Sequence, residues 1–306
     1  MLLPKFLKTG DKAALIAPSG AQPQERMESA VKSVEGFGLK PLLFPCCTKQ
    51  YGYLAGTDAE RARDLTDAFS SPDIKAVICI RGGYGAQRLL DLVDFDAIAA
   101  SGKPLYGYSD ITALHIEMNR RGVVSWHTPM PGTEWYKGLD LYTNNALKAA
   151  LFGPLPNELA NPENTGPIMP LTAGKAEGVL IGGNLTVLAS SVGTSNGIDV
   201  KGKIIFLEDV DESPYRIDRM LLQLKRAGVF DGCAGVIFGT FTGCEPADPA
   251  ASLSVGEILY ELAIQIKKPV VTGFQCGHTL PTACLPLGAA VSLDAGRAEI
   301  KILGVP

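Results

Sequence analysis

The chain has 306 residues, of which 46% are hydrophobic and 20% are charged, and its formal net charge is −4. This balance is typical of a compact folded protein and argues against a disordered chain. A mildly acidic chain offers no basic face for a phosphate backbone, so we expect no nucleic-acid partner. We find no signal peptide and no run of the ~18 apolar residues that a membrane span needs, so we expect a cytoplasmic protein without a membrane contact.

The seven cysteines are scattered along the chain, and only Cys46 and Cys47 are adjacent. Their spacing matches neither a disulfide framework nor a metal site. We therefore expect reduced thiols that pack as small hydrophobic side chains, as in cytosolic proteins. Because no metal-ligand or cofactor motif is present either, we expect neither a metal nor a cofactor.

Short apolar segments alternate with amphipathic segments over the first half of the chain. We expect Asp58 to be the N-cap of the second helix. The predicted strands are 13–17, 41–44, 76–80 and 104–107, and the predicted helices are 24–36, 58–69, 86–93 and 110–121. This alternation predicts an α/β domain whose parallel sheet is covered by helices on both faces.

Prolines and glycines interrupt the periodicity between Phe152 and Gly174, which predicts a linker over 153–174. This linker would separate an N-terminal domain, 1–152, from a C-terminal domain, 175–306. In the C-terminal part we predict strands over 178–181, 203–207, 235–238 and 269–272, helices from about 184 and over 214–227 and 254–266, and a hairpin over 289–303.

Ser109 lies where the fourth predicted strand passes into a helix, in the segment Gly107–Thr112 (GYSDIT). A serine there can project its hydroxyl from the sheet edge, while the unpaired N–H groups of the helix stabilise an oxyanion. The segment lacks the second glycine of the G-x-S-x-G elbow and matches that motif only in part. The alternative is that Ser109 caps the helix.

The segment Arg81–Gly85 (RGGYG) follows the third predicted strand directly. Its glycines allow the backbone to approach a ligand closely and to turn N–H groups toward it. Because the carboxyl ends of parallel strands meet in one crevice, we expect this loop to lie close to Ser109. A phosphate cradle is the alternative, although neither G-x-G-x-x-G nor a Walker lysine is present.

A nucleophilic serine needs a base, and the chain has three histidines. His115 follows Ser109 on the same predicted helix, too far along it to reach the hydroxyl, and we expect a structural role. For His127, which follows a short strand, a structural role is also favoured. His278 comes just after the strand 269–272, in a loop position where catalytic side chains are commonly presented. By elimination and by position, His278 is the predicted base.

Four acidic residues in the segment Glu208–Glu212 (EDVDE) follow the predicted strand 203–207. A carboxylate is needed to hold the catalytic imidazole in its correct tautomer. Glu208 comes first after the apolar run, so its position is the most firmly held, and we predict that it orients the base. Asp211 and Glu212 have a simpler explanation as charges near a helix N-terminus.

Six segments resemble the LD-carboxypeptidases. They occur in the same order and with the same spacing over essentially the whole chain. The segments are Ile16–Ser19 (IAPS), Arg81–Gly85 (RGGYG), Gly107–Thr112 (GYSDIT), Gly182–Leu185 (GGNL), Leu207–Asp209 (LED) and Gly277–His278 (GH). Each is short by itself, whereas six in order point to the family.

The resemblance implies a serine peptidase with a triad of Ser109, Glu208 and His278. It also implies an oxyanion hole of backbone N–H groups, which we assign to Gly83 and Asp110. Family members carry the serine on an N-terminal parallel-sheet domain that is flavodoxin-like or class I glutamine amidotransferase-like. A C-terminal α/β domain, mixed and rich in strands, carries the other two residues, and homodimers are usual. The bacterial family members that take part in peptidoglycan recycling release terminal D-alanine from cytoplasmic murein tetrapeptides.

A carboxypeptidase also needs a cation or a group of N–H donors for the terminal carboxylate of its peptide substrate. Positions at strand ends favour Arg81, Gly82 and Ser19 for this role.

Two other functions stay open. A related branch hydrolyses aminoacyl-nucleotide antibiotics related to microcin C, and it has an extra loop whose aromatic residue stacks on the nucleobase. The linker 153–174 has no Trp or Tyr, which favours a muropeptide substrate, although Trp135 and Tyr136 lie upstream. The second alternative is a non-catalytic ligand-binding module that uses the loop Arg81–Gly85.

Overall fold

The computed structural model describes residues 5–303, which form two compact units. The first unit runs through Leu155 and includes Cys284–Leu287, and the second contains Pro156–Ala283 and continues from Gly288. The chain therefore returns briefly to the first unit near its end, which the predicted ranges 1–152 and 175–306 do not include. Within residues 5–303, no helix has both the length and the apolar character that a bilayer crossing requires.

The strands, in chain order, are β1 (Lys12–Ile16), β2 (Lys40–Leu43), β3 (Ile74–Cys79), β4 (Leu105–Gly107), β5 (Ser125–His127), β6 (Met169–Thr172), β7 (Lys175–Asn184), β8 (Ile204–Val210), β9 (Gly235–Thr242), β10 (Val270–Thr272), β11 (Leu285–Leu287), β12 (Ala290–Asp294) and β13 (Glu299–Ile302). The α-helices are α1 (Met27–Gly36), α2 (Asp58–Ser70), α3 (Phe95–Ala100), α4 (Thr112–Arg120), α5 (Leu141–Phe152), α6 (Leu185–Ser191), α7 (Pro214–Arg226), α8 (Val229–Gly232) and α9 (Val255–Ile266).

The first unit is built on a six-stranded sheet in the order β11-β5-β4-β3-β1-β2. Strands β1 to β5 are parallel, and β11 joins β5 antiparallel. The order 2-1-3-4-5 of the parallel strands is that of flavodoxin-like sheets. In β1 the four residues 13–16 are all buried and apolar, as expected for a strand covered on both faces. The carboxyl ends of β1, β3 and β4 therefore meet at one edge of the sheet.

The second unit is built on a seven-stranded mixed sheet in the order β13-β12-β7-β8-β9-β10-β6. Strands β7 to β10 are parallel, while β12, β13 and β6 run antiparallel to their neighbours. The hairpin of β12 and β13 confirms the hairpin predicted near the end of the chain. The predicted α/β fold class, with a parallel sheet followed by a mixed sheet, is confirmed.

The predicted linker, 153–174, contains one strand of this sheet. Strand β6 pairs with β10 at the sheet edge, where its Pro170 is tolerated because an edge strand need not donate every N–H group. That proline hides the strand in the sequence pattern. Helix α5 is also absent from the predicted elements, since Asn144 and Asn145 are poor helix formers in its first half.

Two helix starts differ from their predictions. Thr57, and not Asp58, is the N-cap of α2, because the Thr57 hydroxyl accepts from the Glu60 amide while the Glu60 carboxylate accepts from the Thr57 amide. The predicted helix 86–93 is a short 3-10 helix, Ala86–Leu89, and α3 begins later, after the cap residue Asp94.

Candidate active site

Ser109 lies two residues beyond β4 and opens the 3-10 helix Ser109–Ile111, which leads into α4. Its φ is 66°, in the left-handed region that a residue with a Cβ enters at a cost of about 1–2 kcal/mol. The residues before the two helical segments are Tyr108 and Ile111, and neither segment has a side-chain cap. Ser109 is therefore not a helix cap. A strained strand-to-helix turn is the backbone geometry of a nucleophile elbow.

The glycine loop, defined as Arg81–Gly85, lies directly against Ser109. A Cβ added at Gly82 would lie 2.9 Å from the Ser109 Cβ and 3.0 Å from its Oγ, so a larger residue would displace the serine. It would also lie 3.3 Å from the Asp110 amide nitrogen. Gly83 has a φ of 106°, which favours glycine. The predicted proximity of this loop to Ser109 is confirmed.

The turn after β1 is the third backbone segment at this place. The Gly20 amide donates to the Gly82 carbonyl at 3.1 Å, and the Ala55 amide donates to the Ser19 carbonyl at 3.0 Å. Ser19 is itself fully buried. A contact between its hydroxyl and a substrate stays a prediction.

Asp110 is buried, and its carboxylate accepts from the Ala86 amide at 2.8 Å. Burial raises the pKa of this carboxyl, while the hydrogen bonds that it accepts and the charge of Arg61 act in the opposite direction. Asp110 therefore connects the start of the helix that follows Ser109 to the end of the glycine loop.

Arg81 is half-buried, and its Nη1 donates to the Ala21 carbonyl at 2.8 Å. Burial lowers the pKa of this guanidinium, and the nearby positive charge of Arg26 adds to the effect. Among the ion pairs formed within residues 5–303, none involves Arg81. A half-buried guanidinium that forms no ion pair within these residues is well placed to bind an anionic group of a ligand.

In the second unit, Glu208 and His278 form a hydrogen-bonded pair. Glu208 is fully buried near the end of β8, and its Oε2 lies 2.7 Å from His278 Nδ1. The side chain of His278 is 16% exposed. Gly277 makes this approach possible, since a Cβ there would lie 2.9 Å from Glu208 Oε2. A carboxylate on Nδ1 selects the tautomer in which Nε2 exchanges a proton with a reacting group.

The neighbouring acid has another task. Asp209 accepts from the Asn184 side chain at 2.9 Å and from the Thr186 amide at 2.9 Å, at the start of α6. Burial raises the pKa of the Asp209 carboxyl. Among residues 5–303, no cluster of three or more His, Cys, Asp or Glu side chains could hold a metal ion.

The other two histidines lie in the first unit. His115 is fully buried, with Nδ1 2.8 Å from Ser125 Oγ and Nε2 2.9 Å from the Gly107 carbonyl, and burial lowers its pKa to about 3. This neutral imidazole joins α4 to β4 and β5, which is the structural role predicted for it. His127 is buried in β5, and its ring packs edge-to-face with the Tyr108 ring at a centroid distance of 5.4 Å.

Two contacts near Ser109 are absent from the sequence predictions. The Tyr108 hydroxyl donates to Glu134 at 2.8 Å, and the fully buried Arg61 donates to the Gly85 carbonyl at 2.9 Å. For Arg61 the sequence carries a signal, because it shares the buried face of α2 with Leu65 and Phe69. An arginine in line with apolar residues of a helix is an unusual pattern, because arginine is almost never fully buried unless it has a partner.

Comparison with known proteins agrees with this geometry. The sequence matches the LD-carboxypeptidase N-terminal domain over residues 13–128 and the LD-carboxypeptidase C-terminal domain over residues 177–293. The chain belongs to the LD-carboxypeptidase family. It is therefore a peptidase, and the alternative of a non-catalytic binding module is wrong.

Three relatives show the range of the family. A probable murein peptide carboxypeptidase of Bacillus subtilis (strain 168) is 39% identical over 297 residues, which cover 96% of this chain and 92% of the relative. The crystal structure of muramoyltetrapeptide carboxypeptidase from Oxalobacter formigenes matches with a TM-score of 0.85 and 32% identity, over 96% of this chain and 99% of that one. The microcin C7 self-immunity protein MccF of Escherichia coli is 29% identical, over 98% of this chain and 95% of the relative.

Proposed function

We propose that this protein is a serine-type L,D-carboxypeptidase that releases the terminal D-alanine from murein tetrapeptides in the cytoplasm. The observation that carries the proposal is the pair formed by His278 and the buried Glu208, at 2.7 Å. The strained backbone of Ser109 and the names of the relatives from Bacillus and Oxalobacter support it.

In the proposed reaction, Ser109 Oγ attacks the carbonyl carbon of the scissile L,D bond while His278 Nε2 takes the hydroxyl proton. The tetrahedral intermediate collapses, the imidazolium gives its proton to the departing amine, and D-alanine leaves. A water molecule, deprotonated by His278, then hydrolyses the acyl-enzyme and regenerates Ser109. Glu208 stays ionised throughout and stabilises the imidazolium.

We assign the oxyanion hole to the backbone N–H groups of Gly83 and Asp110. The close approach of Gly82 to Ser109 and to the Asp110 amide nitrogen supports this assignment, because it brings the glycine loop and the helix start together beside the serine. Preorganised donors of this kind act mainly on the charge that develops in the transition state.

We assign Arg81 to the terminal carboxylate of the substrate. Its half-buried guanidinium donates to a backbone carbonyl and has no carboxylate partner within the described part of the chain. A bidentate contact with a substrate carboxylate would stabilise both charges. Gly82 and Ser19 complete the proposed subsite from the backbone side.

We also propose a cytoplasmic location and a homodimer. The seven cysteines are all free and buried, which suits a reducing compartment. The side chains of Tyr260 and Ile264 are about half exposed, one turn apart on α9, and offer apolar area for a second copy. Cell fractionation and light scattering of the purified protein test the two proposals separately.

The test of the function uses the full chain with a panel of L,D- and D,D-linked muropeptides and identifies the products by mass spectrometry. We expect D-alanine from the L,D-linked tetrapeptide alone. Ser109→Ala should lower turnover by a factor on the order of 10⁴ or more, with a cooperative unfolding transition like that of the wild type. Full turnover in this variant would exclude Ser109 as the nucleophile.

Hydrolysis of an aminoacyl nucleotide is the second candidate, because the microcin immunity protein of Escherichia coli matches almost the whole chain. The range 153–174 contains no Trp or Tyr to stack on a base, which favours the peptide. Competition between an L,D-tetrapeptide and an aminoacyl sulfamoyl nucleoside decides the question. The substrate with the larger kcat/KM is the preferred one.

A further inference from the structure

Arg61 is a buried cation that connects three backbone segments of the first unit. Its side chain, on α2, is completely buried. Its Nε donates to the Gly56 carbonyl at 3.2 Å, and its Nη1 donates both to the Gly85 carbonyl at 2.9 Å and to the Pro18 carbonyl. Its Nη2 donates to Asp58 at 2.5 Å. The donors thus reach the turn after β1, the segment before α2 and the end of the glycine loop.

Packing alone does not explain an arginine at this position. Its neighbours on the buried face of α2 include Leu65 and Phe69, and an apolar side chain would fill such a site without the cost of burying a charge. A guanidinium instead offers five N–H donors in a fixed plane, which can hold several carbonyl oxygens at once. We therefore attribute the arginine at this position to the backbone carbonyl groups that it holds in place.

The end of the glycine loop is held from two sides. Arg61 binds the Gly85 carbonyl, while the Asp110 carboxylate accepts from the next amide, that of Ala86, at 2.8 Å. A Cβ at Gly85 would lie 2.8 Å from Arg61 Nη1, so the backbone is pressed against the guanidinium. Two residues earlier, Gly83 carries one of the proposed oxyanion N–H groups.

We propose that Arg61 is a positioning residue that holds the glycine loop so that the Gly83 N–H group faces the carbonyl oxygen under attack by Ser109. The inference rests on the proposed function. Arg61 itself touches no reacting atom. Its loss should therefore weaken transition-state stabilisation without changing how the substrate binds.

The experiment compares Arg61→Met and Arg61→Lys with the control Arg88→Met. Arg88 donates to the same Asp58 carboxylate, at 2.8 Å, but from the partly exposed surface. For each protein, kcat and KM for the L,D-tetrapeptide are measured, and kcat is divided by the concentration of serine that a fluorophosphonate labels. This division removes any difference in the folded fraction.

We expect Arg61→Met to lower kcat per labelled serine by about 100-fold, as the loss of one oxyanion donor does, with KM within about twofold of the wild type. Arg61→Lys keeps the charge but reaches fewer carbonyls, so its loss should be about 10-fold. Arg88→Met should retain kcat within about twofold, as expected for a surface ion pair. If Arg61→Met folds poorly, the lysine variant carries the same comparison.

An unchanged kcat per labelled serine in both Arg61 variants, together with a lower melting temperature, would show a structural role and overturn the inference. The proposed function fails separately. If the wild type is labelled at Ser109 but releases no D-alanine, the substrate is wrong, and the rate of phosphonylation replaces kcat, because it needs the same oxyanion hole. If the wild type is not labelled, both proposals fall.

Discussion

Ser109 in the first unit owes its position to the backbone, whereas His278 in the second unit owes its orientation to a side chain. Around Ser109 the determinants are a φ of 66° and a contact with Gly82 that leaves no room for a Cβ. Around His278 the determinant is a hydrogen bond of 2.7 Å to Glu208. Substitutions near the serine therefore test the space around Ser109 and the strain of its backbone. Substitutions near the histidine test the tautomer of His278 and the charge that Glu208 provides.

Among substitutions in the surroundings of Ser109 and His278, the largest effect is expected from Glu208→Gln, which keeps the size of the side chain and removes its charge. The amide no longer stabilises the imidazolium, so kcat should fall by a factor on the order of 10³ to 10⁴, with KM little changed. Steady-state kinetics on the L,D-tetrapeptide measure this loss. Glu261→Gln, at an exposed position of α9, is the matched control and should keep wild-type kcat. Equal activity of the two variants would remove Glu208 from the mechanism.

A smaller loss of kcat is expected from Gly82→Ala, which tests the backbone contacts that place Ser109. The new Cβ would lie 2.9 Å from the Ser109 Cβ, so the serine or the loop must shift by several tenths of an ångström. Displacements of this kind cost about 100-fold in kcat when they disturb the attack geometry. Steady-state kinetics of the variant measure the loss of kcat, and its crystal structure shows the displacement of the serine or the loop.

Gly36→Ala serves as the control for Gly82→Ala. Gly36 ends α1, and an added Cβ meets no atom within 4 Å. Activity should stay within about twofold of the wild type, and stability should rise by at most about 1 kcal/mol. If Gly82→Ala behaved like this control, the glycine loop would have no role in placing Ser109.

Replacing His115 should leave activity at neutral pH unchanged. With His115 present, the free energy of unfolding should decrease at acidic pH. Its pKa is lowered to about 3 by burial, against 6.5 in the unfolded chain. The folded state therefore resists protonation. The stabilising contribution is present above pH 6.5 and is lost as the pH falls from 6.5 toward 3.

The variant His115→Gln has no titrating group at this position. Urea unfolding at pH 7 and pH 4 should show the wild type losing about 3 kcal/mol more than the variant over this interval. Equal losses in the two proteins would mean that His115 titrates normally and is not held neutral by its burial.

Much of the fold could be predicted because its signals are local. Four consecutive buried apolar residues in β1, and the helices between the strands of the first sheet, show in the sequence as composition and period. Strand β6 could not be predicted this way, because Pro170 breaks its pattern and only pairing with β10 makes it a strand. Pairing partners far apart in the chain leave no local trace.

The sequence by itself determined that the candidate site residues lie close to the ends of strands. Arg81 and Ser109 come just after β3 and β4, Glu208 lies near the end of β8, and His278 is in the loop after β10. Only the tertiary structure decided the left-handed backbone of Ser109, the 2.7 Å contact between residues 208 and 278, and the three carbonyl groups around Arg61. The physical reason is that each of these depends on how closely separate segments approach. That distance is set by packing and strand register, and not by local preference.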